Sequence, residues 1–267
     1  MYPKLFEIGP FSVYSYGLML GIAFIAGSWL LGKELKRNNF DENAGVMVTF
    51  LSLIGGIVGA KIFYIIEEWN FGKGTSLGML LTPEYLFSAA GLTFYGGLIL
   101  SIILLYIYCK YKKIPLLRMF DFMAPSAILG YGIARIGCHL AGDGDYGIQV
   151  NGTIWEFLGY SYSKGTVPTA PGVLVHPTPI YETIVSFIIF IFLWRQRKKV
   201  KYIGQLFAYY LILSGTERLL VEFIRINPKV FWVLTQAQII SIILIIAGIW
   251  MLLKKKKSIT EKTEMTD

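Results

Sequence analysis

The chain has 267 residues, of which 55% are hydrophobic and 16% are charged, and its mean hydropathy is +0.57. Soluble domains carry about 25% charged residues, so this composition excludes an ordinary soluble domain and indicates a polytopic membrane protein. The formal net charge of +8 does not indicate nucleic-acid binding, because the basic residues concentrate in alternate loops, the pattern that orients membrane proteins.

Seven apolar segments follow one another along the chain. Four approach or exceed the roughly 18 to 20 residues that cross a bilayer as a helix: 12–32, 43–60, 85–109 and 231–253. Three weaker segments, each shortened by an ionisable residue near one end, are 119–139, 179–194 and 202–222. We therefore predict an all-α fold of seven transmembrane helices in a single domain, 1–267. The first segment is expected to be a retained helix, because no small-residue cleavage site follows it.

Lysine and arginine are unevenly distributed over the connecting loops. With the loops assigned alternately to the two membrane sides, one side holds 17 of these residues, in 33–37, 110–118, 195–201 and 254–262, and the other side holds five. The positive-inside rule then places the N-terminus outside and the C-terminus in the cytoplasm. Residues 140–178 become an outer-face loop, and residues 254–267 become a basic cytoplasmic tail that we expect to contact anionic membrane lipids.

Polar and aromatic groups within the segments fall at one depth. An ionisable side chain costs about 2.5 to 3.5 kcal/mol at the centre of a transmembrane helix, so those that occur there are functional candidates. In six of the seven segments such groups lie in the outward half, whereas the cytoplasmic halves are almost wholly hydrocarbon. They are Tyr14, Tyr16, Lys61, Tyr95, Arg135, Cys138, His139, Glu182, Glu217, Arg218, Glu222 and Arg225. We predict a polar cavity that opens toward the outer leaflet.

Arg218, Glu222 and Arg225 share one helix face, because they are spaced i, i+4, i+7. Two interpretations of this face are open. The residues form an intramembrane ion pair that closes on itself, or Arg218 joins Arg135 in a cationic clamp for a phosphate group. A guanidinium suits the clamp because its planar fork matches two phosphate oxygens and it stays charged when desolvated.

Glycines occur in two contexts. Those of GGIVGAK, 55–61, have the small-residue spacing typical of close helix packing. Others would let the backbone approach a ligand or turn with a positive φ; they are Gly96, Gly97, Gly142, Gly144 and Gly147. The aromatic residues of the outer loop form either an interfacial belt or a lid over the cavity.

The sequence contains no P-loop, G-x-S-x-G, CxxC or H-E-x-x-H motif. No metal site is expected, because the chain has two histidines and the spacing of Cys138, His139, Asp143 and Asp145 fits no standard ligand pattern. Cys109 and Cys138 are predicted at opposite membrane faces, so we expect no disulfide between them.

Five short motifs occur in the order and topological positions expected of one family. They are YSYGLML, FYGGLIL, ARIGCHLAGDGDYG, HPTPIYE and RLLVEFIR. The chain thereby resembles the prolipoprotein diacylglyceryl transferases over nearly its whole length. The resemblance implies an enzyme of the bacterial cytoplasmic (inner) membrane that moves the diacylglyceryl group of phosphatidylglycerol to the lipobox cysteine of a prolipoprotein signal peptide. A thioether forms, glycerol phosphate leaves, and no cofactor is needed.

The resemblance also implies roles for individual residues. Arg135 corresponds to the signature arginine and is expected to contact the lipid phosphate. Arg218 corresponds to the arginine of the later span, and Glu222 is expected to orient it. Residues expected to bind substrate, besides Arg135, are Tyr16, Gly96, Gly97, Asp143, Gly147 and Glu182.

Departures from the family pattern affect the assignment of the general base. Tyr95 stands where the family has a histidine, Cys138 stands where it has an asparagine, and one glycine is inserted after Asp143. His139 is predicted at the same depth as Tyr95, and an unperturbed imidazole can accept a proton near neutrality. His139 is therefore either the base that replaces the family's histidine or only a hydrogen-bond partner of the outer loop. Tyr95 is the other residue expected to take part in catalysis. Cys138 is expected to be a buried packing residue.

Two other functions fit the same residues. A non-catalytic protein that binds or transports anionic lipid would also need the arginines, although the apolar cytoplasmic halves and the lack of evident internal repeats argue against a transporter. A relative that uses another lipid donor or thiol acceptor is compatible with the departures at Tyr95 and Cys138.

Overall fold

A computed structural model of the chain describes residues 1–9, 11–71, 82, 93–231 and 233–254. These residues form seven α-helices and two short β-hairpins. The helices are α1 Ser15–Arg37, α2 Asn43–Phe71, α3 Phe94–Tyr111, α4 Leu116–Ala141, α5 Thr178–Gln196, α6 Gln205–Glu222 and α7 Gln236–Leu253. The antiparallel hairpins pair β1 Lys4–Ile8 with β2 Phe11–Tyr14, and β3 Lys229–Phe231 with β4 Leu234–Thr235.

Among the described residues, four helices are long and apolar enough to cross a membrane: Ser15–Arg37, Asn43–Trp69, Thr178–Gln196 and Gln236–Leu253. The chain is therefore a mostly helical, multi-pass membrane protein, whereas the full count of seven spans and their orientation stay predictions. Each predicted segment overlaps a helix. The predicted start of the third segment and most of the basic tail, 255–267, lie outside the described residues.

Two predicted segment ends were wrong. Residues 12–14 pair with β1 instead of starting α1, and Phe231, Leu234 and Thr235 belong to the β3–β4 hairpin instead of starting α7. Thr235 sets the beginning of α7: its hydroxyl accepts from Gln238 N (3.2 Å), and Gln238 Oε1 accepts from Thr235 N (2.9 Å). This capping box satisfies two helix N-terminal donors reciprocally, so the apolar residues before Thr235 are excluded from the helix.

The chain divides into two compact units, one comprising Leu31–Met119 and the other comprising Met1–Leu30 with Phe120–Asp267. The single transmembrane domain over 1–267 stays a prediction. In the unit Leu31–Met119, α2 and α3 approach closely because glycines line their contact. A Cβ added at Gly59 would lie 2.6 Å from Leu100 Cβ, and one at Gly55 would lie 2.7 Å from Ser101 Cα. The predicted packing role of these two glycines is confirmed.

Gly96 and Gly97 belong to the same contact. A Cβ at Gly96 would lie 2.7 Å from Phe63 Cγ, and one at Gly97 would lie 3.2 Å from Gly56 Cα. Both glycines therefore face α2 and allow helix packing, and their predicted role toward a substrate stays a prediction.

In the unit formed by Met1–Leu30 and Phe120–Asp267, α4, α5 and α6 are held side by side. Their buried core comprises Ala124, Ile128, Ile189, Leu193 and Leu206. Gly132 lets α5 approach α4, because a Cβ there would meet Ser186 Cβ at 3.0 Å. Ser186 in turn donates to Glu217 Oε1 of α6 (2.7 Å). The C-terminal ends of α4 and α6 thus meet the N-terminal turns of α5.

Candidate active site

Six charged side chains meet where these three helix ends converge. We call them the ion-pair cluster: Arg135 of α4, Asp145 of the following loop, Glu182 of α5, Arg218 and Glu222 of α6, and Arg225 just after α6. The cluster contains three guanidinium groups and three carboxylates. This balance is expected, since a charge removed from water must be paired and hydrogen-bonded to be tolerated.

Glu182 is the centre of the cluster and is fully buried. Its Oε1 accepts from the Tyr131 hydroxyl (2.7 Å) and from Arg218 Nη1 (3.1 Å). Its Oε2 lies 3.2 Å from Arg135 Nε and 3.8 Å from Arg225 Nη1. These last two contacts are at ion-pair distance but lack hydrogen-bond geometry, so they act mainly through charge. One buried carboxylate therefore lies at ion-pair distance from all three arginines.

Arg218 is engaged by two buried carboxylates. Besides Glu182, it contacts Glu222, whose Oε2 lies 3.0 Å from Arg218 Nη2 and whose Oε1 accepts from Asn227 Nδ2 (2.7 Å). The Arg218–Glu222 ion pair expected from the i, i+4 spacing is thus present. Arg135 and Arg218 do not face an open space as a clamp would require, because Glu182 lies between them.

Asp145 joins the other two arginines. Its Oδ2 pairs with Arg135 Nη1, and its Oδ1 pairs with Arg225 Nη2. Burial alone would raise the pKa of the Asp145 carboxyl, but the charges of Arg135 and Arg225 lower it below its usual value. The Asp145 side chain is 28% exposed, whereas those of Glu182 and Glu222 are 0% exposed.

The loop before α5 holds Arg225 through its backbone. Gly147 forms an antiparallel bridge with Arg225, and Ile148 N donates to Ile224 O (2.8 Å). A Cβ at Gly147 would lie 3.0 Å from His176 Cβ and from Thr178 Cγ2. Only glycine leaves room for this strand pairing, so Gly147 has a defined role in placing Arg225.

Nearby turns need glycine for another reason. Gly142 and Gly144 have φ values of 61° and 94°, in the region that residues with a Cβ rarely adopt. This part of the glycine prediction is confirmed. The turn brings Asp143 beside Cys138, and burial raises the pKa of the Asp143 carboxyl.

Cys138, Asp143 and Asp145 place possible metal-ligand atoms within 4.8 Å of one another. Both carboxylate oxygens of Asp145 are, however, occupied by arginines, and Arg135 Nη1 lies 3.6 Å from Cys138 Sγ. Two guanidinium charges at this position favour an anion over a cation. Cys138 is buried and, like Cys109, is a free thiol, as its predicted packing role requires.

His139 contacts the outer loop. Its Nδ1 and the Tyr162 hydroxyl share a hydrogen bond of 2.8 Å, and its ring centroid lies 4.9 Å from that of Tyr160. Tyr162 is buried and also stacks on Tyr146. This hydrogen bond with the loop belongs to one of the two interpretations of His139, and its role as a base stays a prediction.

The other predicted site residues lie at the beginnings of helices. Tyr16, in the first turn of α1, packs on Gly137 of α4, where a Cβ would meet Tyr16 Cα at 3.2 Å. Tyr95 lies in the first turn of α3 within the unit Leu31–Met119, and its role in catalysis stays a prediction. Sequence reasoning placed Arg225 on the face of Arg218 and Glu222 but did not name it or Asp145 among the site residues. The only signal for them was their position beside the signature arginine and on the Arg218 face.

The described residues thus define a multi-pass membrane protein in which three arginines and three carboxylates gather at converging helix ends. The family model described as prolipoprotein diacylglyceryl transferase matches residues 3–254. The chain therefore belongs to the prolipoprotein diacylglyceryl transferase family.

Curated relatives from several bacteria are similar over almost their whole length. A protein of Clostridium tetani is 35% identical over 254 residues, which cover 94% of this chain and 96% of that protein. A protein of Finegoldia magna is 32% identical over 97% of this chain and 98% of its own length. One of Leptospira interrogans is 32% identical over 91% and 89%, respectively. All three are named phosphatidylglycerol–prolipoprotein diacylglyceryl transferase.

Proposed function

We propose that the protein transfers the diacylglyceryl group of phosphatidylglycerol to the lipobox cysteine of prolipoproteins, the first step of bacterial lipoprotein maturation. The observation that carries the proposal is the ion-pair cluster, in which buried carboxylates hold Arg135, Arg218 and Arg225 together at the converging helix ends. Membership of the family and the names of its relatives support the same activity.

The reaction forms one bond and breaks one. The thiolate of the lipobox cysteine attacks the glyceryl carbon that is bonded to the phosphate oxygen. A carbon–sulfur bond forms, the carbon–oxygen bond breaks, and glycerol phosphate leaves with the bonding electrons. Arg135 contacts the phosphate and stabilises the charge that develops on it. A charge held in place before the reaction stabilises the transition state without reorganisation.

The remaining charged residues hold this arginine in position. Glu182 contacts Arg135 Nε, Arg218 is fixed by Glu182 and Glu222, and each of these carboxylates is buried. Tyr16, Gly96, Gly97, Asp143, Gly147 and Glu182 complete the proposed substrate-binding set, either by contact with the substrate or by placing the groups that contact it.

His139 is the proposed base that accepts the thiol proton, because the thiolate is the nucleophile. Its hydrogen bond with Tyr162 fixes the orientation of the ring. Catalytic bases are commonly oriented by such a hydrogen-bonded neighbour. Tyr95, which stands where the family has a histidine, is the other proposed catalytic residue. His139→Gln should abolish transfer if His139 is the base, whereas Tyr162→Phe, which removes only the orienting hydrogen bond, should lower it partially. Full activity of His139→Gln would contradict this assignment.

The proposed setting is the bacterial inner membrane, with the N-terminus and the active site on the outer side and the C-terminus in the cytoplasm. The excess of basic residues in alternate loops supports this orientation. The proposed partners are phosphatidylglycerol, the prolipoprotein signal peptide and the surrounding membrane lipids. No nucleic acid and no cofactor take part in the proposed reaction.

The test is a transfer assay with the purified full-length protein in detergent micelles. Phosphatidylglycerol and a lipobox peptide are supplied, and mass spectrometry detects a diacylglyceryl thioether on the peptide cysteine. Arg135→Ala should abolish the product, and Cys138→Ala should leave most of it. A non-catalytic lipid-binding protein, the alternative function, would retain phosphatidylglycerol and form no product. A relative with another donor would react with a different lipid in the same assay.

A further inference from the structure

We propose that Arg135 and Arg225 together form the subsite for the lipid phosphate, and that the Asp145 carboxylate occupies this subsite when no lipid is bound. The inference rests on the proposed function and adds a phosphate contact, Arg225, and a competing internal anion to it.

The arrangement of Asp145 matches that of a bound phosphate. Each of its two carboxylate oxygens pairs with a different guanidinium, Oδ1 with Arg225 and Oδ2 with Arg135. Two oxygens of a phosphodiester can make the same pair of charge-assisted contacts. The side chains of Arg135 and Arg225 are only 14% and 7% exposed, so an anion between them is poorly screened by water. Both groups carry one negative charge, so the exchange leaves the charge of the cluster unchanged.

Among the three carboxylates of the cluster, Asp145 is the one that can leave. Glu182 and Glu222 are 0% exposed at their side chains, so displacing either would leave a buried charge without its partner, which is strongly unfavourable. Asp145 is 28% exposed and can be hydrated after it moves. Arg218, held by the two fully buried carboxylates, is therefore a positioning residue.

The backbone does not have to move for this exchange. The Thr178 hydroxyl donates to Asp145 O, and the bridge between Gly147 and Arg225 fixes the chain two residues later. In the proposed exchange the Asp145 carboxylate withdraws from the arginines by rotation about its Cα–Cβ bond. Arg225 keeps its place meanwhile, because its backbone is paired with the loop.

This exchange has a measurable consequence. The apparent affinity for a ligand falls in proportion to the fraction of molecules whose site is open, so Asp145 weakens the binding of phosphatidylglycerol. Removal of its charge should therefore strengthen binding. A purely structural Asp145 predicts the opposite, because its loss would leave two arginines repelling each other and would disturb the site.

The test compares two fluorescent lipids, one that carries a phosphate headgroup and one that lacks it. Nitrobenzoxadiazole-labelled phosphatidylglycerol and the correspondingly labelled diacylglycerol are titrated into the full-length protein in uncharged detergent micelles. We expect Asp145→Asn and Asp145→Ser to bind the phosphatidylglycerol probe about tenfold more tightly than the wild type, which is about 1.4 kcal/mol. Binding of the diacylglycerol probe should not change. Arg225→Gln should weaken binding of the phosphatidylglycerol probe at least about tenfold.

Glu156→Gln is the matched control. Glu156 is an exposed acid of the same outer loop, and its Oε2 accepts only from Gly152 N (2.8 Å) among the hydrogen bonds of the described residues. This substitution removes one negative charge without touching an arginine and should leave both affinities unchanged. Equal tightening in Glu156→Gln would assign the effect to net charge and overturn the inference.

The two neutral Asp145 variants decide the question together, so the failure of one of them to fold does not end the test. Wild-type or weaker affinity in the folded variant would overturn the proposed subsite. The proposed function is tested separately by the transfer assay. Wild-type protein that shows the expected binding pattern but forms no thioether would refute the function and keep the subsite.

Discussion

Glu182→Gln perturbs the cluster at its centre while it preserves the shape of the side chain. Glu182 is fully buried and lies within 4.0 Å of Arg135, Arg218 and Arg225. The amide retains an acceptor for the Tyr131 hydroxyl but removes the negative charge. Three guanidinium groups would then face the two remaining carboxylates of the cluster.

The expected loss of stability follows from this burial. Breaking a buried ion pair by removing one partner costs about 3 to 5 kcal/mol, and no reduction for solvent screening applies to a side chain without exposure. Arg135 also loses the contact at its Nε, so its guanidinium keeps the ion pair with Asp145 but is held less firmly in place. Misplacement of a catalytic group by about 1 Å can lower a rate about 100-fold, and we expect a loss of transfer activity of this order.

Glu217→Gln is the control for this substitution. Glu217 is a buried carboxylate of the same helix bundle, and its Oε1 accepts from Ser186 Oγ (2.7 Å). Within the described residues it has no Lys, Arg or His nitrogen within 4.0 Å. An amide can accept the same hydrogen bond, so we expect a change of about 1 kcal/mol or less. Unfolding in mixed micelles and the transfer assay measure both variants. Equal stability losses in the two variants would refute the role assigned to Glu182.

Three further predictions concern backbone packing and pH. Gly147→Ala should lower transfer activity at least about tenfold and cost about 1 to 3 kcal/mol of stability. The reason is that the new Cβ would meet His176 and Thr178 at 3.0 Å. Unchanged activity would contradict the role of Gly147 in placing Arg225. Gly59→Val should destabilise the protein in the same unfolding assay by separating α2 from α3, and a neutral effect would contradict the close contact with Leu100. The Asp145 ion pairs should stabilise the wild type relative to Asp145→Asn by a constant amount above about pH 5. Because folding lowers the pKa of Asp145 below its ordinary 3.8, this difference should be lost only as the pH falls through the folded-state pKa, and its loss between pH 6 and 8 would refute the assignment.

The sequence predicted the elements better than their junctions. Long apolar segments specified the helices, since only a helix satisfies its backbone within the hydrocarbon region. Residues 231–234 are equally apolar, however, and α7 begins only after its N-cap Thr235, which forms the capping box with Gln238. Apolar composition carries no information about a hairpin formed beside a membrane helix, so both hairpins were missed.

In the candidate site, too, residues within apolar segments could be predicted from the sequence, whereas contacts made by a loop could not. Arg135, Glu182, Arg218 and Glu222 were found because an ionisable group in an apolar segment is conspicuous, and helix spacing predicted the Arg218–Glu222 pair. Asp145 lies in a loop, where neither period nor hydropathy indicates which way a side chain points. Its contacts depend on the positive φ values of Gly142 and Gly144 and on the strand pairing at Gly147, which are tertiary features. For this reason the sequence left open whether Arg218 pairs with Glu222 or joins Arg135 in a phosphate clamp, and the proposed subsite of Arg135 and Arg225 could be inferred only from the structure.

The most direct test of the account follows the glyceryl backbone of the donor lipid. Phosphatidylglycerol deuterated in the glycerol that carries the acyl chains is incubated with the purified protein and a lipobox peptide, and both products are analysed by mass spectrometry. If the diacylglyceryl group is transferred as proposed, the label and both acyl chains appear on the peptide cysteine and unlabelled glycerol phosphate is released. A peptide that carries only an acyl chain, or no adduct where a Clostridium tetani relative reacts, would contradict the proposed transfer.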